Sequence, residues 1–197
     1  MMGDSSSERI QTSSVRIVGN VLRASRNLDL NQVDSLVHAI CTGLELASAK
    51  VRWNAAASIV VALSSSATTT LVDSTLTHLV GPAHLDKLIA SLSSNLPASG
   101  NVEIPSLSPE PPPRKQNYKV QLQTTKALLA IQRYAENRHV FNISDDEHRR
   151  QLRDEVQRLL KDLQNSVQKQ VDEATVPPSQ FEHVEKLLAE LSIDRQT

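Results

Sequence analysis

Aromatic residues are scarce in this chain, making up 3% of its 197 residues. Strands of β-sandwiches favour aromatic and β-branched residues, so the scarcity favours closely packed helices with a core of Leu, Val, Ile and Ala. The five glycines are not clustered, which excludes a recognisable phosphate-binding glycine loop. Neither a serine-hydrolase motif nor a Cys–His metal-binding spacing is present. The sequence therefore predicts a protein that is not an enzyme and has no cofactor or metal.

The chain also has few cysteines, no long apolar run and a net charge close to zero. The single cysteine, Cys41, cannot form an internal disulfide, which favours a reducing compartment. It follows Ile40 in an apolar stripe and is predicted to be inert core rather than a nucleophile. No window approaches the roughly 20 apolar residues of a membrane span. The net charge of -1 disfavours electrostatic binding to nucleic acid or an anionic membrane. The sequence thus predicts an intracellular protein, cytoplasmic or nuclear, whose partner is another protein.

Three segments of the chain read alike: "TSSVRIVGNVLRA" from Thr12, "SAKVRWNAAASIVVAL" from Ser48 and "NYKVQLQTTKALLAI" from Asn117. Each begins with a small polar residue suited to a helix N-cap, three positions before a valine. Small residues that allow a neighbouring helix to approach closely follow four or seven positions after the valine, at Gly19, Ala55 and Ala127. The pattern predicts one helix that is repeated three times.

Helices that can pair with these three lie between them. Residues 31–47 carry an apolar stripe at helical spacing, and a second stripe follows Gly81-Pro82. Residues 68–80 are predicted to form a short helix or an ordered connection. An antiparallel helix pair cannot cover its own apolar surface and must stack on the next pair. Such stacking explains why "KVRWNAAASIVVAL" is apolar on two sides, and it predicts that Trp53 is packed inside.

The V-R-x-x-A pattern, clearest in "KVRWNA", resembles the second helix of a HEAT repeat, and residues 9–134 are similar to the C-terminal region of longer HEAT-repeat proteins. The resemblance implies an all-α fold, an α-solenoid of helix pairs in an armadillo-type right-handed superhelix. It also implies a non-catalytic scaffold or adaptor for protein–protein interaction. If the pairs are oriented as in other HEAT repeats, Asn54 and Ser58 would line the partner-binding groove. The Asp that often precedes the second helix is replaced by Thr, Ser or Asn, so no Asp–Arg ladder is expected.

These patterns divide the chain into six parts. They are a disordered N-terminus (1–8), HEAT-like repeats (9–93), a Pro/Ser-rich flexible insertion (94–116), a continuation of the repeats (117–143), a long amphipathic helix (144–176) and a short C-terminal helix (179–193). Because the polar N-terminus leads directly into the second helix of a pair, the first repeat is expected to expose an apolar flank. In the insertion, Pro109, Pro112 and Arg114 form P-x-x-P-x-R, a candidate SH3-type ligand. A plain flexible insertion is the favoured alternative.

The long C-terminal helix carries apolar residues at near-heptad spacing, namely Leu152, Val156, Leu159 and Leu163. It either caps the end of the solenoid or forms a coiled coil with itself or another chain. The cap is favoured, because an end repeat must present a polar outer face, and a monomer is favoured with it. Its arginines are interrupted by acidic residues and are predicted to form a solvated face. His78 and His84 are predicted to be surface histidines.

Overall fold

A computed structural model describes residues 5–24, 28–64, 80–96, 117–136, 146–173 and residue 189. Within these residues the chain forms six α-helices and no strand, which confirms the all-α prediction. The helices are α1 (Ser5–Ala24), α2 (Leu30–Glu45), α3 (Ala49–Leu63), α4 (Pro82–Ser93), α5 (Tyr118–Glu136) and α6 (Asp146–Asp172).

Side-chain caps fix the starts of three helices. Asp29 forms a capping box with Gln32 at the start of α2. The Ser48 hydroxyl accepts a hydrogen bond from the Val51 amide at 3.3 Å, as predicted for the N-cap of α3. The predicted cap of α5 is also present, since Asn117 Oδ1 accepts from the Lys119 amide at 3.0 Å.

The start of α1 differs from the prediction. This helix begins at Ser5, inside the stretch expected to be disordered, and Thr12 is buried within it rather than capping it. The physical reason is a contact between helices, in which the Ser48 hydroxyl donates a hydrogen bond to the Glu8 carboxylate. This bond attaches the first turns of α1 to the start of α3.

The helices form two layers. In one layer α3 lies between α1 and α5, so the three matched segments of the sequence are neighbours in space. On one side of this layer α2 packs on α1 and α3, and α4 packs on α2 and α5. The last helix, α6, packs mainly on α5 and also touches α4. One apolar cluster extends through the molecule from Val15 in α1 to Leu163 in α6.

The contact between α1 and α3 is unusually close at Gly19. A Cβ atom at this position would lie 2.7 Å from the backbone oxygen of Ser58 and 2.8 Å from its Cα. The Ser58 hydroxyl donates a hydrogen bond across the same contact to the Val15 carbonyl at 2.8 Å. The small residue predicted to allow a close helix approach therefore does so.

A buried arginine fixes the turn between α2 and α3. Arg52 Nη1 donates to the carbonyls of Leu46 at 2.9 Å and Ala47 at 2.6 Å, which leaves fewer unpaired backbone groups after the end of α2. Arg16, its counterpart in the sequence match, is exposed instead. The matched positions therefore do not have the same surroundings in α1 and α3, because α1 is rotated about its axis relative to α3.

Tyr134, near the end of α5, is bonded to the segment that precedes α4. Its hydroxyl donates a hydrogen bond to the Val80 carbonyl at 3.2 Å. Burial raises the pKa of Tyr134 to about 12, from an ordinary value of 10.0. A raised pKa means that the neutral phenol contributes stability that is complete below pH 10 and is lost as the pH rises toward 12.

We expect a late phase in an alkaline titration of tyrosinate absorbance, and we expect it to be absent in Tyr134→Phe. A late phase that persists in the variant would contradict this assignment.

Candidate functional site

The residues predicted to line a partner-binding groove are buried. Asn54 is 7% exposed and Ser58 is 3% exposed. The Asn54 amide donates to the Lys50 carbonyl at 2.7 Å, and the Ser58 hydroxyl bonds the carbonyls of Val15 and Asn54. Ser58 thus packs against α1, and neither side chain lies on an open surface. The structure corrects the expected orientation of α3.

Trp53 lies on the open side of α3, where its side chain is 40% exposed. The prediction that it packs inside is wrong. Successive helical residues are about 100° apart, so Trp53 lies almost opposite Val51, which is fully buried. The neighbours α1, α2 and α5 cover the other sides of α3. Within α3 the exposed side chains are Lys50 and Trp53.

The open side of α3 faces away from α2. Ser58 contacts α1, and Ala55 lies 3.2 Å from where a Cβ of Gly43 in α2 would be. Viewed along the helix, Ala55 is on one side of Ser58 and both Lys50 and Trp53 are on the other. The surface that carries Trp53 is therefore the face of the α1–α3–α5 layer opposite α2.

A row of three exposed arginines follows α1 at seven-residue intervals: Arg9, Arg16 and Arg23. Within α1, Gly19 faces α3 and Val15 contacts Gly43 of α2. Arg16 and Arg23 are on the opposite side of Gly19 from Val15. The arginine row therefore lies on the same face as Trp53, away from α2.

A second row follows α5 at the same seven-residue spacing: Lys119, Lys126 and Arg133. Lys119 precedes the matched valine of α5 by one position, as Lys50 does in α3. Lys119 and Arg133 are exposed and Lys126 is half-buried, whereas residues 120–125 are all buried. Gln121 and Gln132 contact α6 from roughly the opposite side of α5. The row therefore lies on the open side of α5, and we assign it to the same face as Lys50 and Trp53.

We call this surface the basic face; it consists of Arg9, Arg16, Arg23, Lys50, Trp53, Lys119, Lys126 and Arg133. The three helices of the layer carry eight Lys or Arg residues and two acidic ones, Glu8 and Glu136. Glu8 accepts a hydrogen bond from Ser48, and Glu136 accepts one from Gln132. In contrast, α2 and α4 carry three acidic residues and one lysine. Positive charge is thus concentrated on one face of a chain whose net charge is -1.

The basic face was missed in the sequence because net charge averages over the whole chain. The signal that could have revealed it is the seven-residue spacing of Arg9, Arg16 and Arg23, repeated by the row on α5. The flank of α1 away from α3 is a separate, apolar surface. There Ile10 is 65% exposed and Ile17 is 60% exposed.

A histidine, an aspartate and a lysine meet between α2 and α4. The imidazole of His84 is buried, contrary to the prediction of a surface histidine. Its Nδ1 accepts from the Gly81 amide at 3.0 Å, so Nε2 carries the proton in the neutral ring and donates to Asp34 Oδ1 at 3.2 Å. Lys87 Nζ donates to the same oxygen at 3.0 Å. Acid–base catalysis needs a ring nitrogen that faces the reacting group, and both nitrogens of His84 are already engaged. The trio fixes the start of α4 against α2.

The electrostatics of these residues agree with a structural role. The hydrogen bond from Lys87 lowers the pKa of Asp34, and the charge of Lys87 acts in the same direction. Cys41, whose sulfur lies 3.8 Å from the Lys87 carbonyl, is buried as predicted. Burial raises the pKa of its thiol, which disfavours the nucleophilic thiolate.

Other predicted features lie outside the described residues. These are the candidate SH3-type ligand formed by Pro109, Pro112 and Arg114, the histidine His78, and nearly all of the short helix predicted over residues 179–193. Some arginines of α6 form ion pairs on its outer surface, as Arg158 does with Glu155 and Asp162.

The described part of the chain contains no group of three or more His, Cys, Asp or Glu residues that could hold a metal ion. None of its helices is both long enough and apolar enough to span a membrane. No protein-family model, curated protein or solved structure matches this sequence. The function must therefore be argued from the basic face itself.

Proposed function

We propose that this protein is a non-catalytic α-solenoid of HEAT-like helix pairs that binds another protein on the basic face. The observation that carries the proposal is the exposure of Trp53 on α3, the middle helix of the α1–α3–α5 layer. Exposed aromatic side chains are enriched among the residues that contribute most to protein–protein binding. The half-buried Ala57 and Val60 continue the apolar surface beside Trp53.

The two-layer arrangement supports the solenoid part of the proposal. Three matched helices form one layer, and the intervening helices α2 and α4 pack on one side of it, as stacked helix pairs require. The resemblance of "KVRWNA" to the second helix of a HEAT repeat points in the same direction. We place the protein in the cytoplasm or nucleus because its single cysteine favours a reducing compartment.

Assembly through the long C-terminal helix is the alternative function. Its near-heptad stripe is already buried within the same chain, with Val156 and Leu163 both fully covered. Gln157 of α6 also donates a hydrogen bond to Gln132 of α5 at 2.9 Å. A coiled coil would need this stripe to be free, so the packing of α6 favours the cap.

The proposal is tested by comparing the proteins that cross-link to two variants in cells. Trp53→Ala removes the aromatic side chain of the basic face, and Leu30→Ala removes an apolar side chain of α2, in the other layer, that is even more exposed than Trp53. We expect cross-linked partners of the wild-type chain to be lost with Trp53→Ala and kept with Leu30→Ala. If both variants keep the same partners as the wild type, the basic face is not the binding surface.

A further inference from the structure

The basic face combines regularly spaced cations with one aromatic side chain. Seven residues of helix rise about 10.5 Å, so neighbouring cations within a row are separated by that distance at the backbone. Packed helix axes are about 8–10 Å apart, which sets the separation between adjacent rows. The face is therefore a grid of positive charges at a spacing of about 10 Å, with Trp53 near its centre.

We propose that the partner bound by the basic face is an acidic protein segment. Its Asp and Glu side chains pair with the cations of α1 and α5, and one of its apolar side chains packs on Trp53. A segment in polyproline II conformation advances about 3.1 Å per residue with three residues per turn, so acidic residues at every third position lie on one side and match the spacing of the grid. A segment of about six residues spans all three helices. The inference rests on the proposed function and adds the chemical class of the partner.

Charge complementarity is the reason for choosing an acidic partner. Neither acidic residue of α1 or α5 lies within the two rows, and α3 contains none. The outer helix α6 is different, because its six acidic and six basic residues alternate along the chain and form pairs such as Arg150–Glu147. A surface with charges mainly of one sign steers an oppositely charged partner and orients it.

A protein segment fits this face better than a nucleic acid does. Proteins that bind single-stranded nucleic acids stack successive bases on several aromatic side chains. The basic face has one, and the surface beside it is aliphatic, formed by Ala57 and Val60. That surface suits a leucine or phenylalanine anchor next to acidic residues.

Trp53 allows the site of binding to be observed directly, because it is the only tryptophan of the chain. The probe is a fluorescein-labelled synthetic peptide of glutamates with a leucine at its centre, and the matched control replaces every glutamate by glutamine. We expect the unlabelled acidic peptide to shift the Trp53 emission in a saturable manner and the glutamine peptide to leave it unchanged. Binding should weaken as salt is added, because surface charges are screened.

Two double variants with the same change of charge test the location. Arg16→Glu with Lys119→Glu reverses one cation in each outer row of the basic face, whereas Arg153→Glu with Lys161→Glu reverses two exposed cations of α6. From peptide anisotropy we expect affinity to fall at least about tenfold for the first pair and to change less than about twofold for the second. Helical circular dichroism checks that all variants fold.

Three results would overturn the inference: no binding of the acidic peptide, equal affinity for the two double variants, or tighter binding of an oligothymidylate than of the peptide. The last result would assign the face to nucleic acid. If Trp53→Ala loses its partners in cells while the acidic peptide does not bind, the proposed function stands and only the class of partner is wrong. If Trp53→Ala keeps all partners, the proposed function itself fails.

Discussion

Gly19→Leu is expected to destabilise the chain by at least about 3 kcal/mol. Even the first carbon of a side chain at this position would lie 2.7–2.8 Å from the backbone and Cβ atoms of Ser58. Backbone atoms cannot rotate away, so α1 must separate from α3. The separation breaks the Ser58–Val15 hydrogen bond and loosens the packing of Val15 and Leu22. Overpacking a tight contact costs about 1–3 kcal/mol and occasionally more, and here the entire side chain has no space.

The measurement is denaturant unfolding followed by helical circular dichroism. Ser14→Leu is the matched control, because it places the same side chain at an exposed position of the same helix, where the change should stay within about 0.5 kcal/mol. Gly19→Ala compares two opposing contributions to stability. Alanine favours the helix by about 1 kcal/mol over glycine, but its Cβ is the carbon that clashes with Ser58. Equal stabilities of the two leucine variants would show that α1 and α3 are not in close contact.

The close contact at Gly19 also shows what local sequence can predict. Small residues at helical spacing predicted a neighbouring helix, and the cap residues Ser48 and Asn117 predicted the starts of α3 and α5. These signals are local, because a cap acts within one turn and a small residue reports on space next to its own backbone.

The rotation of each helix about its axis could not be predicted in the same way. α3 is apolar around most of its circumference, so its sequence does not distinguish the arc that neighbours cover from the arc that stays open. Trp53 was placed inside for this reason, and Ser58 outside. The orientation is fixed by contacts with other parts of the chain, such as those at Gly19 and Gly43, which belong to α1 and α2. The basic face depends on that rotation, which is why it became visible only in three dimensions.

The start of α1 illustrates a second limit. Its first turn consists mostly of serines, which favour caps and turns over helix interiors. The Glu8–Ser48 hydrogen bond joins residues 40 positions apart, and no local pattern announces it. The longer helix matters for the proposed function, because it places Arg9 in line with Arg16 and Arg23.

Leu163→Ala is expected to destabilise the whole chain by about 3 kcal/mol, since burial of this leucine is complete. Truncating a buried leucine removes its transfer free energy and leaves a cavity, which together cost about 2.7–5 kcal/mol. Leu163 belongs to the same apolar cluster as residues of α2, α3, α4 and α5. Its loss should therefore lower the stability of all of these helices in one transition, as a cap that closes a shared core requires.

Lys161→Ala is the control, because it truncates an exposed side chain two positions earlier in α6 and should change stability by less than about 0.5 kcal/mol. Thermal unfolding of both variants at several protein concentrations separates the two hypotheses for α6. If α6 closes the core of its own chain, the midpoints do not depend on concentration and Leu163→Ala melts lower at each one. If α6 pairs between chains, folding is linked to association and the midpoints rise with concentration. The second outcome would support α6, not the basic face, as the proposed binding surface. The helix that closes the layer in a monomer would then be the interface between chains.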